Sequence, residues 1–287
     1  MAILTNLPGV QVTVQIASED AKEYDAGEEE QPPAEHPACP IVTKYIESID
    51  DAQFVIKVTA SSDYEWGYQN HALRATVNID GNHISSKTIS SPRESTISNK
   101  KAFCQQSQNW KKYELRFSAV STIEDHHQER LEGDLEAVKH LGLIRVTIDR
   151  CIVRQSAPRT KRRSVHRIQK FEFLEKSLKG KAISHGTSLS SLQIIQPPRT
   201  THLTPLREDN GPIAVFNFLY RSRDALQQSL IIPRDPPSSS TQTFSNLSAA
   251  EIERLAKERF EQIKREKDET EPMERKRITQ FVDLTDD

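Results

Sequence analysis

Hydrophobic and polar residues alternate with a period of two over much of the first half of the chain, the pattern of strands buried on one face. After Pro8-Gly9, residues Val10, Val12, Val14 and Ile16 alternate with polar neighbours. Ile41 to Ile46 and Phe54-Val55-Ile56-Lys57-Val58 predict two further strands. Leu73, Ala75, Val77 and Ile79 lead into Asp80-Gly81, a pair suited to positive φ, and Ile84 returns on the other side as a hairpin. Tyr113, Leu115 and Phe117 alternate again, and so do Ile144, Val146 and Ile148. Between them, Leu131, Leu135 and Val138 predict a helix near Gln128 to Leu141, with Gly142 placed to end it.

The second half is less regular. A short helix is predicted around Phe173 to Lys181, followed by Ser184-His185-Gly186-Thr187-Ser188, whose composition is that of a turn, and by a Ser/Pro linker through Pro197-Pro198. Ile213 to Tyr220 is apolar on both sides, as a central strand is, and Ser222 is placed to cap a helix over Asp224 to Leu230. These readings predict a mainly β domain with peripheral helices, β-sandwich-like and mostly antiparallel, over residues 1–234. It would carry an acidic loop at 19–40 and a basic loop at 155–169. A flexible linker follows at 235–247. Ser248-Ala249-Ala250-Glu251 is a capping box that opens a charged helix at 248–268, with Ile252, Leu255, Phe260 and Ile263 on a narrow stripe of coiled-coil type. Residues 269–287 form a flexible tail.

Composition locates the unpacked parts. Hydrophobic residues make up 35% of the 287 residues; with the 9 glycines the share is still about 38%, against roughly 45–50% in an average globular chain. Net charge is only −2 from 39 basic and 41 acidic residues, so charge is sorted into blocks. That balance speaks against a whole-protein nucleic-acid binder, which would carry a basic excess. Met1 to Pro8 has neither a basic n-region nor a long apolar core, and Ile213 to Tyr220 is too short to span a bilayer. Cys39, Cys104 and Cys151 are odd in number and widely spaced, which fits a reducing compartment. The chain is therefore expected to be nuclear or nucleocytoplasmic, neither secreted nor membrane-bound.

Chemistry is sought and mostly not found. The phosphate-cradling, dinucleotide, zinc-helix and nucleophile-elbow motifs do not occur, so no cofactor, metal or catalytic residue is assigned. His126-His127 beside Glu124-Asp125 fits a polar helix start better than a metal site. Ser184 and His185 offer a nucleophile and a base without an identifiable acid. Arg159, Lys161, Arg162, Arg163 and Arg167 form a run without an acid, suited to an import signal or a phosphate-binding patch. Arg275-Lys276-Arg277 is a smaller cluster of the same kind.

The body resembles a family of uncharacterised fungal proteins defined by a domain of unknown function. The resemblance is carried by Leu7-Pro8-Gly9-Val10, Val42-Thr43-Lys44-Tyr45-Ile46-Glu47 and Leu143-Ile144-Arg145-Val146. It continues through Lys179 to Ser188, Ile213-Ala214-Val215-Phe216, Tyr220 to Gln227 and Ile231-Ile232-Pro233-Arg234. It implies no activity. The resemblance extends to the C-terminus, where members of that family look similar in ending with a comparable Asp-Leu-Thr-Asp sequence.

The last seven residues, Phe281-Val282-Asp283-Leu284-Thr285-Asp286-Asp287, form a short apolar strand flanked by acids, the pattern of a ligand that adds a strand to a partner's sheet. They resemble the SUMO-interacting motif: Val282, Asp283, Leu284 and Thr285 match, and Asp286 and Asp287 supply the acidic flank. Phe281 stands where an aliphatic residue is usual. Phosphate on Thr285 would add negative charge. Ile263-Lys264-Arg265-Glu266 fits the short pattern of a SUMO acceptor. The leading expectation is a non-enzymatic nuclear adaptor that recruits SUMO or sumoylated partners. The alternatives are a chromatin or nucleic-acid-associated protein using residues 159–167, and an enzyme or small-ligand binder with a pocket in the β domain.

Overall fold

In the computed structural model, the described residues are 2–27, 39–67, 69–123, 133–135, 137–158, 172–178 and 183–234, with single positions at 32, 253, 254 and 257. The period-two segments become strands that bury their apolar face. One sheet has the order β1 (Ala2–Ile3), β2 (Val10–Ile16), β6 (Phe54–Ala60) and β9 (Arg93–Ile97), with β3 (Glu19–Asp20) paired to β2. A second runs β4 (Glu23–Asp25), β5 (Ile41–Glu47), β17 (Ala214–Arg221), β13 (Leu143–Pro158), β7 (His71–Ile79) and β8 (Asn82–Ile89). The far half of β13 also pairs with β16 (Arg199–Pro205). A third sheet joins β10 (Asn99–Cys104), β11 (Asn109–Ala119) and β15 (His185–Ile195). The short strands β12 (Ser121–Ile123) and β14 (Glu172–Leu174) pair with each other in parallel.

Register explains the core. Val10, Val12, Val14 and Ile16 stand opposite Ala60, Val58, Ile56 and Phe54. In the second sheet Ile79, Ile144 and Phe218 form one cross-strand row, and Val77, Val146 and Phe216 the next. These rows belong to one apolar cluster that also takes in Leu115 and Phe117 of β11. Phe117 stacks on Phe54 with ring centroids 4.3 Å apart and tilts against Tyr220 at 5.0 Å, so it joins all three sheets. Such aromatic pairs add to the burial of their area. The fold is mainly β with peripheral helices and rich in antiparallel pairs; β5–β17 is a parallel pair within the second sheet.

β17 lies between β5 and β13, and its residues Ala214 to Tyr220 are all buried. Leu219 packs in a second cluster with Tyr45, Leu143, Leu226 and Ile232. Leu226 comes from helix α2 (Arg223–Gln228), whose first turn is capped by Ser222 accepting from the Ala225 amide. A one-turn helix, α1 (Glu175–Leu178), precedes β15. Residues 133–135 and 137–138 are helical, within the segment where the apolar spacing predicts a helix.

Several local expectations are corrected. The acidic stretch opens with β3 and β4 rather than with loop, because Glu19–Asp20 and Glu23–Asp25 find partners in β2 and β5. β13 continues through 155–158, held by β16, so these residues are strand rather than loop, and 159–169 lie outside the described residues. Phe173 lies in strand β14, buried at 5% exposure beside Val138 and Leu141, and the helix after it is one turn. His185 to Ile195 is not turn and linker but strand β15, paired with β11, and only residues 196–198 connect it to β16.

The chain divides into two compact units, Met1–Pro233 and Arg234–Asp287. In the second, Glu253, Arg254 and Lys257 are helical, and Lys257 meets Glu253 at 3.1 Å one turn away. Among the described residues no helix is long and apolar enough to cross a membrane.

Phe117→Ala removes the ring shared by three sheets. It is expected to lower the unfolding free energy by about 3–5 kcal/mol, read by urea denaturation. A loss much smaller than that would contradict the packing.

Candidate functional site

The hairpin of β7 and β8 turns through Asp80 and Gly81, with φ of +50° and +74°. That geometry suits a two-residue hairpin loop. It also carries the Asp80 side chain inward, where three elements meet it. Tyr220 of β17 donates its hydroxyl to the carboxylate, 2.7 Å from each oxygen. The amide of Gly142 donates to Oδ1 at 2.8 Å and that of Thr187 to Oδ2 at 2.9 Å. The Thr187 hydroxyl lies 3.2 Å from the phenol oxygen. With the phenol proton given to Asp80, the threonine is the donor.

Burial pushes the Asp80 carboxyl up from 3.8 to about 6, although Tyr220 and the amides of Gly142, Thr187 and Leu143 pull it down. Burial also raises the Tyr220 phenol, and the Asp80 charge adds to that. Gly142, next to this knot, has φ +75°, a backbone conformation that residues with a Cβ rarely adopt, and a Cβ there would also displace Arg221 Nη1, 2.3 Å away. That guanidinium donates to the carbonyls of Gly142 and Tyr220 at 2.9 and 2.8 Å.

A second polar cluster continues the seam along β15. Nδ1 of His185 lies 2.9 Å from Ser48 Oγ and 3.2 Å from Ser184 Oγ. Ser184 Oγ also accepts the Ser222 amide at 2.9 Å. Nε2 faces Asp50 Oδ1 at 4.0 Å. Burial lowers the His185 pKa more than Asp50 raises it, which keeps the ring neutral.

Serine, histidine and aspartate thus converge, and Ser48 and Asp50 are members that sequence reasoning missed. Nothing in Glu47-Ser48-Ile49-Asp50 distinguishes them from an ordinary strand end. Chemically the arrangement fastens. Ser48 is only 3% exposed, and Asp50 Oδ1 is occupied by the Ala119 amide at 2.9 Å. The Ser48 amide donates to the Arg221 carbonyl at 2.7 Å, so β5, β15 and β17 are bound at one point.

Among the described residues no group of three or more His, Cys, Asp or Glu side chains is arranged to hold a metal. The histidine pair at 126 and 127, the basic run at 159–167, residues 275–277, the pattern at 263–266 and the terminal motif at 281–287 lie outside the described residues.

A family model described as a domain of unknown function, DUF7918, matches residues 9–235. The chain belongs to the DUF7918 family. No curated protein and no solved structure matches it. The matched region covers β2 to β17 and α2, so the polar seam lies inside the DUF7918 domain.

The three cysteines of the DUF7918 chain are free, with Cys39 and Cys104 half-buried and Cys151 buried. Cys104, at the end of β10, has its thiol lowered to about 7, first by the Ser107 hydroxyl and then by the Ser107 and Gln106 amides and Lys111. Burial raises both Cys39 and Cys151. At neutral pH, iodoacetamide is therefore expected to alkylate Cys104 at least about tenfold faster than the other two, as peptide mass spectrometry would show. Equal rates would contradict it.

Asp80→Asn keeps a residue that tolerates positive φ but turns an amide NH2 toward donor groups. It is expected to cost about 1–3 kcal/mol. Because the folded carboxyl is raised, its linked contribution is complete below pH 3.8 and is lost as pH rises through about 6. Lowered His185 and His71 work oppositely, losing stability as pH falls below 6.5. These histidine contributions cancel in the difference between wild type and the variant. The stability gap in denaturant titrations should therefore be wider near pH 4 than near pH 7, and a gap independent of pH would refute the buried carboxyl.

Proposed function

We propose that this DUF7918 protein is a non-enzymatic nuclear adaptor that recruits SUMO or sumoylated partners through residues 281–287. The observation that carries this reading is the run Val282-Asp283-Leu284-Thr285-Asp286-Asp287, in which two apolar residues alternate with acids and an acidic flank follows. An extended peptide of this kind pairs its backbone with a sheet edge, while alternate side chains enter an apolar groove. Val282 and Leu284 supply the groove contacts, and Asp283, Asp286 and Asp287 face basic residues of the partner.

Two features of the chain favour recruitment over catalysis. The Ser48–His185 pair is enclosed and its hydrogen bonds are used in joining strands. The motif lies outside residues 9–235, the part of the chain that the DUF7918 model matches. Recognition by one short strand is weak, and it becomes useful where several such contacts act together.

Immobilised SUMO is expected to capture the full chain, and V282A/L284A should reduce capture at least about tenfold, the loss expected when an anchoring contact worth 1.4 kcal/mol or more is removed. Equal capture of wild type and variant would sink the motif.

A further inference from the structure

Residues 82–119 contain seven lysines and arginines but only two acids, Glu94 and Glu114. Both acids are engaged: Glu94 meets Lys57 at 2.9 Å, and Glu114 meets Arg116 at 3.0 Å. Four of the remaining cations gather where β8, β9, β10 and β11 adjoin. Lys101 of β10 stands directly opposite Lys112 of β11 in the antiparallel register. β8 packs against both β9 and β10, and Arg93 of β9 donates to the Thr88 carbonyl beside Lys87. Lys87, Arg93 and Lys101 are exposed and Lys112 is half-buried. Desolvation, and then the fields of Lys101 and Arg93, lower the Lys87 pKa.

Like charges placed directly opposite destabilise a sheet. The fold nonetheless keeps Lys101 facing Lys112, with no carboxylate bonded to either among the described residues. Such a face holds counterions that a polyanion would release on binding. Two features choose the polyanion. Lysine ammoniums suit phosphate as point charges. An acidic peptide would instead gain specificity from apolar anchors, yet the rings next along the strands from this lysine pair, Phe103 and Trp110, are each only 6% exposed. Their burial also leaves no stacking platform for bases.

We propose that Lys87, Arg93, Lys101 and Lys112 form a binding face for the phosphodiester backbone of nucleic acid, read without regard to sequence. Contacts of this kind position a protein on the backbone and carry no base information. The site is distinct from the basic run at 159–167 and independent of the terminal motif.

The test is fluorescence anisotropy of the full chain with a short labelled DNA duplex of mixed sequence, titrated across salt concentrations. Four phosphate contacts predict a slope of log affinity against log salt near about −3.6 from this face. K87Q/R93Q/K101Q/K112Q should weaken binding at least about tenfold and flatten the slope by about that amount. A duplex of different sequence should bind alike. K101Q alone should raise the thermal midpoint by relieving the opposed pair, which separates lost binding from lost folding. The proposal is overturned if the full chain does not bind DNA, if the quadruple variant binds like wild type, or if polyglutamate displaces DNA at equal charge concentration. The last result would make the face an acidic-peptide site.

Discussion

A carboxylate taken out of water is stable only where donors replace its hydration, and Asp80 meets that condition by drawing four parts of the chain to one point. Tyr220, Gly142 and Thr187 reach it from β17, the start of β13 and β15. The raised carboxyl shows that these donors do not fully offset the desolvation. The contribution of the knot is geometric. It fixes where the third sheet meets the second, at the place where Phe117 and Tyr220 touch. Once Thr187 is anchored, the strand direction carries His185 two residues back to Ser48 and Ser184. The second cluster therefore depends on the first. Reactivity at His185 and Ser48 is restrained by the same anchoring that brings them together.

What was legible in the chain follows from periodicity. Val10 to Ile16 and the Leu73 to Ile84 hairpin were readable because one face is buried, and a two-residue turn of Asp and Gly admits one register. β15 was not readable. Its Ser190, Ser191, Leu192, Gln193 and Ile194 are all exposed, so no alternation marks it, and backbone pairing with β11 makes it a strand. β10 was not readable either, because its buried residues Ala102 and Phe103 are adjacent after Lys100-Lys101 and show no two-residue alternation. Asp80 was legible as a turn residue but not as a buried one, since the donors that hold it lie 62 to 140 residues away. Ser48 and Asp50 likewise gain meaning only when β15 and β11 are beside them.

Charge followed the same logic. A net charge of −2 from 39 basic and 41 acidic residues is a poor guide to the field at any surface. The conspicuous run is Arg159 to Arg167, because its cations are consecutive. Lys87, Arg93, Lys101 and Lys112 are separated by 6 to 11 residues in the chain, and strand pairing places them together. Sheets gather residues distant in sequence, so a cationic face on a β protein is hidden from any reading that looks for runs.

The two proposed contacts are each weak for a physical reason. A short extended motif must order its backbone on binding, and a charge-only face is screened by salt. Weakness changes its meaning when both partners belong to one assembly. A sumoylated protein already seated on nucleic acid would present both ligands at once, and the second contact would form at an effective concentration set by the chain between them. Neither contact would then need to be strong alone. Salt should act most on the nucleic-acid half, which is counterion release, and less on the SUMO half, where strand pairing and apolar burial add to the acidic contacts.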